Sequence, residues 1–193
     1  DENQAIKPGT ASFGEIRQVF EATRDEVSEC HLMTSYRSTP AITELFAKLA
    51  ITADGMQISS VQRADTEPEF HECATESEYI QKLIQTARAS KEFKGTTAFV
   101  ALDTETAART AQLLGDDSPT LIGEGDTLPN SGSILLALPL AKGLEFDHVV
   151  IVDANKEDFP ETDLSRRRLY TAISRATSTV SIFSNGELSP LLK

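Results

Sequence analysis

Three short segments combine residue types capable of chemistry with settings that would present them. Ser35-Tyr36-Arg37-Ser38 places a phenol and a guanidinium between an apolar strand and a capped helix. That is the position where open sheets receive ligands. Ala141-Lys142-Gly143-Leu144-Glu145-Phe146-Asp147 forms a charged turn between two apolar strands. Leu169-Tyr170-Thr171-Ala172-Ile173-Ser174-Arg175-Ala176 lies in a helical pattern. At about 100° per residue, Arg167, Thr171, Ser174 and Arg175 fall opposite its apolar side, so Arg175 is expected to point out of the domain.

Other chemistries are disfavoured by what the sequence lacks. No GxxxxGK[ST] phosphate loop occurs, and no GxGxxG follows a strand, so the chain is not expected to build a glycine-rich nucleotide pocket alone. Gly123-Glu124-Gly125 is short and acidic and reads as a turn. Cys30-His31 and His71-x-Cys73 lack the close pairing of structural zinc sites, and no metal is expected. Ser174 has no histidine partner in sequence, which argues against a serine nucleophile. His148, beside Asp147, reads as a surface imidazole. The run Arg166-Arg167-Arg168 suits a nucleic-acid contact or equally a helix surface balancing Glu161 and Asp163.

The elements that must position these segments alternate along the chain. Leu32–Thr34, Thr97–Leu102, Ser133–Leu138, His148–Val152 and Thr179–Phe183 are short apolar runs, several of them continuous, as in strands covered on both faces. Between them lie helical patterns. Thr39-Pro40 offers a capping hydroxyl and a first-turn proline ahead of the stripe Ile42, Leu45, Phe46 and Leu49. Thr75 and Glu78 form a capping box before Tyr79, Ile80, Leu83, Ile84 and Ala87. Asp103/Thr104 opens a helix through Ala107, Ala108, Ala111 and Leu114 that Gly115 stops. A fourth helix is expected over about Glu161–Thr177, with Leu169, Ala172, Ile173 and Ala176 inward. Met56–Val61 and Phe70–Cys73 suit a hairpin or edge strands, and Leu114–Ser133 a loop with one short strand at Leu121. The alternation predicts an α/β fold, a doubly wound, mostly parallel sheet with helices on both faces.

The chain has 193 residues, of which 39% are hydrophobic, enough for one α/β domain with a real core. Thirty acidic against 18 basic residues give a net charge of −12, which disfavours unaided binding to nucleic acid and favours a protein or nucleotide partner. The apolar runs Ile134–Leu140 and Val149–Val152 are too short to span a bilayer, so no membrane partner is expected. With no basic-then-apolar leader at the start, the expected location is cytoplasmic. Cys30 and Cys73 are the only cysteines and read as reduced thiols.

Taken singly, each chemical segment reads as ordinary surface. Their order is more telling. A YRS turn, a KGLEF turn and an LYTAISRA helix, preceded by Asp1-Glu2-Asn3-Gln4-Ala5-Ile6, resemble motifs IV, V, VI and III of UvrD/Rep-type superfamily 1 helicases, over nearly the whole chain. The resemblance implies a RecA-like second motor domain, related to the P-loop NTPases but without its own phosphate loop. Residues 1–12 would be the tail of a first motor domain and a linker, with a chain start that falls within motif III. Residues 13–193 would be the second domain, without the large 2B insertion. The same resemblance implies ATP with Mg²⁺ as cofactor, the Mg²⁺ ligands lying on the first motor domain. Gln4 would sense the γ-phosphate, Tyr36 stack on adenine, and Arg37 contact the γ-phosphate. Gly143 and Glu145 would approach the nucleotide, Glu145 accepting from the ribose, and Arg175 would be the arginine finger. Arginine suits such roles because its planar fork stays charged and binds phosphate oxygens bidentately. Lys142 and Arg167 are candidates for nucleic-acid or coupling contacts.

The sequence departs from that pattern where the family meets DNA. Lys7-Pro8-Gly9 stands where an aromatic usually stacks on a base, and Leu138-Pro139-Leu140 where Thr and His usually lie near the DNA backbone. With these changes the chain is most similar to the HelD (helicase IV-like) branch, in which the motor acts on RNA polymerase. The expected partners are therefore the first motor domain of the same polypeptide, and single-stranded DNA, RNA polymerase or both.

Overall fold

The continuous apolar runs become the interior of a six-stranded, all-parallel sheet. The computed structural model describes residues 2–22, 34–35, 37–51, 59–60 and 66–193. Among these, the strands are β1 (Thr34–Ser35), β2 (Ser59–Ser60), β3 (Glu69–Cys73), β4 (Thr96–Ala101), β5 (Thr120–Ile122), β6 (Gly132–Ala137), β7 (Phe146–Ile151) and β8 (Ala176–Asn185). The α-helices are α1 (Phe13–Glu21), α2 (Pro40–Lys48), α3 (Glu76–Glu92), α4 (Thr104–Leu114), α5 (Leu138–Ala141) and α6 (Asp163–Ile173). The main sheet runs β3-β8-β7-β4-β6-β5, and β1 pairs with β2 in a separate parallel ribbon.

Successive residues of the central strands serve opposite cores, as the two-residue period requires. Ala98, Val100, Ile134, Leu136, Val149, Ile151, Val180 and Ile182 pack with α2, α5 and α6 on one face. Phe99, Ala101, Leu135, Val150, Val152 and Phe183 pack with α3 and α4 on the other. The doubly wound arrangement expected from the alternation is thus observed. Asn3, Ala5 and Ile6 are buried too. The 3₁₀ turn Glu2–Gln4 packs against α6, and the Asn3 amide oxygen accepts from the Ile51 N–H at 2.8 Å.

Several local expectations are corrected. The fourth helix stops at Ile173 rather than near Thr177, and Ala176 already begins β8. Side chains close it: Ser174 Oγ and Arg175 Nε both donate to the Thr171 carbonyl, which the helix would otherwise leave for residue 175. The chain then enters Thr177-Ser178-Thr179-Val180, residues suited to a strand. Strand β6 ends at Ala137, and Leu138 starts a short helix instead of prolonging it. Thr39 has the extended backbone of a cap, but among the described residues its buried hydroxyl has no hydrogen-bond partner. Thr75 caps α3 as expected, whereas the Glu78 carboxylate accepts from Ala74 N–H, one residue before the position a capping box uses. Of the two alternatives for Phe70–Cys73, the edge strand is the one observed, parallel to β8. Ala108 on α4 is exposed, and Thr106 and Thr110 are buried in its place. Leu32, Met33, Met56 and Val61 lie outside the described residues, as do Cys30 and His31. Cys73 is a free, buried thiol whose pKa is raised by burial.

His148 is not a surface imidazole. It sits on β7, flanked by β4 and β8, and its Nε2 lies 3.0 Å from Ser181 Oγ. Burial pushes its pKa down, with the Glu69 carboxylate opposing. Among the described residues no helix is long and apolar enough to cross a membrane.

One close approach constrains the sheet's lower edge. Asp147 accepts from the Thr96 N–H at 2.7 Å and from the Thr96 hydroxyl at 2.9 Å, joining β7 to β4. Gly95 lies under that bridge: a Cβ there would stand 2.5 Å from Asp147 Oδ2 and 2.5 Å from the Phe93 ring. Gly95→Ala should therefore destabilise the fold by about 1–3 kcal/mol, the range of overpacking substitutions. An urea-unfolding midpoint equal to the wild type's would refute the clash. A second expectation concerns acid. His148 has a folded pKa below its unfolded value near 6.5, so the unfolded chain binds the proton first and stability declines as pH falls through and below that value. The melting-temperature difference between wild type and His148→Asn should shift against the wild type between pH 7.5 and 5.5; a constant difference would exclude the effect.

Candidate functional site

The loop that follows α5 begins with a turn of definite type. Lys142 has φ −63° and ψ 125°, Gly143 has φ 88°, and Leu144 N–H donates to the Ala141 carbonyl at 3.1 Å. These are the features of a type II turn, whose third residue needs positive φ and hence glycine. No atom lies within 4 Å of where a Cβ would stand on Gly143, so backbone conformation rather than space selects glycine here. Lys142 is exposed at this turn.

Arg175 occupies the junction of α6 and β8, and it does not point outward. It is 3% exposed, and Thr171 and Ser174 are buried with it. The polar side of this helix is covered because α6 packs on α2, α5 and the Glu2–Gln4 turn as well as on the sheet. The Arg175 guanidinium donates from Nε to the Thr171 carbonyl at 3.0 Å, from Nη1 to the Leu144 carbonyl at 3.2 Å, and from Nη2 to Ser174 Oγ at 2.9 Å. Its backbone carbonyl accepts from the Phe146 N–H at 2.9 Å. Arg175 thus grips the Glu145 loop from both sides of that residue. A guanidinium has five N–H groups, so two remain uncommitted.

Glu145 in turn pairs with Arg37, Oε1 to Nε, at 2.5 Å, with side chains 47% and 44% exposed. So exposed a pair contributes roughly 0–1 kcal/mol, and its interest lies in what it brings together. Burial and then the neighbouring Arg37 charge lower the Arg175 pKa, while Glu145 opposes them. Two cations and one carboxylate therefore share one cluster, with charge left over to attract an anion.

Of the residues singled out in the sequence, Arg37, Glu145 and Arg175 converge, and Gly143 and Lys142 shape the turn beside them. Gln4 is half-buried in the turn packed on α6, and Arg167 is half-buried on α6 itself. Tyr36 lies outside the described residues. Arg166 pairs with Glu161 at 3.6 Å, in keeping with charge balance along α6. Sequence reasoning missed Ser38, which is buried and donates to the Ala176 carbonyl at 2.6 Å. Its only signal was a small hydroxyl directly after Arg37. Also missed was α1, although Ser12 and Glu15 form a complete capping box ahead of it.

Among known proteins, residues 139–183 match the family model of the UvrD-like helicase C-terminal domain. No curated protein matches the chain. Among solved structures, the C-terminal domain of a possible DNA helicase from Lactobacillus plantarum WCFS1 aligns over 82% of this chain and 92% of its own, at 28% identity and a TM-score of 0.67. The C-terminal domain of the DEAD-box protein Dbp5 overlaps more loosely, at 14% identity over 60% of this chain and 74% of its own, with a TM-score of 0.43. Arterivirus nonstructural protein 10 (helicase) in complex with DNA does so at 15% identity over 64% of this chain and 31% of its own, with a TM-score of 0.38. The stretch that holds Glu145 and Arg175 carries the pattern of a UvrD-like helicase C-terminal domain, and the α/β sheet around it is the fold of such domains.

Proposed function

We propose that this chain is the second motor domain of an ATP-dependent superfamily 1 helicase or translocase, and that it supplies half of an ATPase site. The observation that carries this reading is the convergence of Arg37, Glu145 and Arg175, drawn from three separate motifs, in one cluster. Residues 1–12 carry the end of the first motor domain, which provides the phosphate loop, the Mg²⁺ ligands and the catalytic carboxylate.

The donor set fits a nucleoside triphosphate. ATP supplies the phosphoryl group whose transfer drives the motor. Two guanidiniums offer fixed positive charge to phosphate oxygens, and Glu145 is an acceptor of the kind a ribose hydroxyl needs. Arg175 has three of its five N–H groups tied to Thr171, Leu144 and Ser174. Its charge is therefore fixed before substrate arrives, and two of its N–H groups are left for phosphate oxygens. Arg37 trades its bond to Glu145 for phosphate, and Glu145 is thereby freed for the ribose. Tyr36 stacks on adenine and Gln4 senses the γ-phosphate from the neighbouring domain. Because these groups reach the phosphates only when the two domains close, hydrolysis is coupled to movement.

A second reading, favoured by the net charge of −12, keeps this architecture but gives the domain a protein partner. In that HelD-like case the motor acts on RNA polymerase, and Lys142 and Arg167 serve coupling rather than a DNA track. Leu138 is buried in the core and Leu140 is packed against it, so neither serves as a polar nucleic-acid contact.

The test is ATP turnover by the full-length protein. Arg175→Ala should lower kcat by about a thousandfold or more, the range for an arginine finger. A rate within severalfold of wild type would reject the assignment. Stimulation by single-stranded DNA or by RNA polymerase identifies the partner. The 193-residue chain alone should not hydrolyse ATP, and metal-dependent hydrolysis that Arg175→Ala abolishes would contradict the half-site.

A further inference from the structure

The three charged groups of the site come from segments far apart in sequence, yet all are indexed to one pair of peptide carbonyls. The Arg175 carbonyl accepts from Phe146 N–H, the neighbour of Glu145, at 2.9 Å. The next carbonyl, Ala176, accepts from the hydroxyl of Ser38, the neighbour of Arg37, at 2.6 Å. Ser38 is 1% exposed, so this hydroxyl has no exchange with solvent to fall back on. Its own carbonyl accepts from Ser60 Oγ at 2.6 Å and from Thr43 Oγ1 at 3.5 Å, which fixes the residue from β2 and α2 as well.

We propose that Ser38 is a positioning residue for the ATPase reaction: its hydroxyl holds Arg37 in register with Glu145 and Arg175 through the Ala176 carbonyl. The inference rests on the half-site described above. Its physical logic is local. Among the described residues, the Arg37–Glu145 ion pair and this hydrogen bond are the side-chain links between the Arg37 turn and the 144–146 and 175–176 segments. Nucleotide binding breaks the first, because Arg37 turns to phosphate. At the moment of reaction the buried Ser38 bond still ties the Arg37 turn directly to the 175–176 segment. Consecutive Cα atoms are about 3.8 Å apart, so a shift at Ser38 passes almost undiminished to Arg37. A misplacement of about 1 Å can reduce turnover roughly a hundredfold.

The experiment is a double-mutant cycle on ATP turnover by the full-length protein. Ser38→Ala should lower kcat by roughly 10- to 100-fold with a smaller change in KM for ATP. Added to Arg37→Ala it should cause no further loss, because the hydroxyl acts only through that arginine. Ser38→Thr, which keeps the hydroxyl, should recover most of the rate. Ser38→Cys, close in size but a weak donor, should fold and lose kcat to the same degree, which keeps the test decisive if the alanine variant folds poorly. Losses that multiply in the double variant, or a lowered melting temperature with unchanged kcat in the folded enzyme, overturn the proposal. If Arg37→Ala and Arg175→Ala themselves leave turnover intact, the half-site reading has failed and this inference falls with it. If both collapse turnover while Ser38→Ala multiplies with Arg37→Ala, only the role of Ser38 is lost.

Discussion

Arg175 is the constraint on which the candidate site depends. A guanidinium held in a nearly dry environment must find acceptors for most of its N–H groups, since an unpaired buried donor costs about 1–3 kcal/mol. Here the acceptors are Thr171 O, Leu144 O and Ser174 Oγ. Meeting that demand has two structural results. The α6 helix is closed at its last turn, and the 142–146 loop is drawn against the α6–β8 junction. Removing the side chain would take its donor from the Leu144 carbonyl and one of two donors from the Thr171 carbonyl, so the residue is architectural as well as electrostatic. A group with both duties is fixed before its ligand comes, which is the condition under which fixed charge is most effective.

The fold was legible because its strands are buried on both faces. Runs such as Ile134-Leu135-Leu136-Ala137 and Val149-Val150-Ile151-Val152 have no polar side to confuse with a solvent face, and the helices between them have recognisable starts at Pro40, Thr75 and Asp103. What was not legible is where tertiary contacts override local pattern. Arg167, Thr171, Ser174 and Arg175 share a polar side by helical spacing, which normally means solvent. Neighbouring elements cover that side, and periodicity cannot register a second layer. The same reason explains His148: an imidazole beside an aspartate looks exposed until the strand bearing it is found in the middle of the sheet.

The site itself was legible as residue types but not as geometry. Arg37, Glu145 and Arg175 were singled out by their motifs, and the sequence places them 108 and 30 residues apart without saying that they come together. Apart from the Arg37–Glu145 ion pair, the bonds that join their segments run through main-chain carbonyls at 144, 175 and 176, which carry no sequence signal at all. Ser38 shows the difficulty best: a serine after an arginine is unremarkable until its hydroxyl is seen against the next strand. The Gly143 turn is the converse case. There the residue type announced the geometry, since a positive φ at the third position of a type II turn leaves little other choice.

The link between β6 and β7 has one more property. Ser133 and His148 are both level with Thr97, so Phe146 begins its strand about six residues below Ala137, roughly 20 Å along the sheet at 3.3 Å per residue. With β4 lying between the two strands, a sideways step of roughly 10 Å is added, and the straight-line distance is about 22 Å. The connecting segment spends four residues on α5, at about 1.5 Å each, and the next on a turn less than about 7 Å across, so its remaining links run nearly straight to make up the distance. The segment that carries Glu145 thus keeps its spare length only where it is coiled, in α5 and the turn after it. A pull on Glu145 must therefore either uncoil that turn of helix or pass to the top of β6 and the foot of β7.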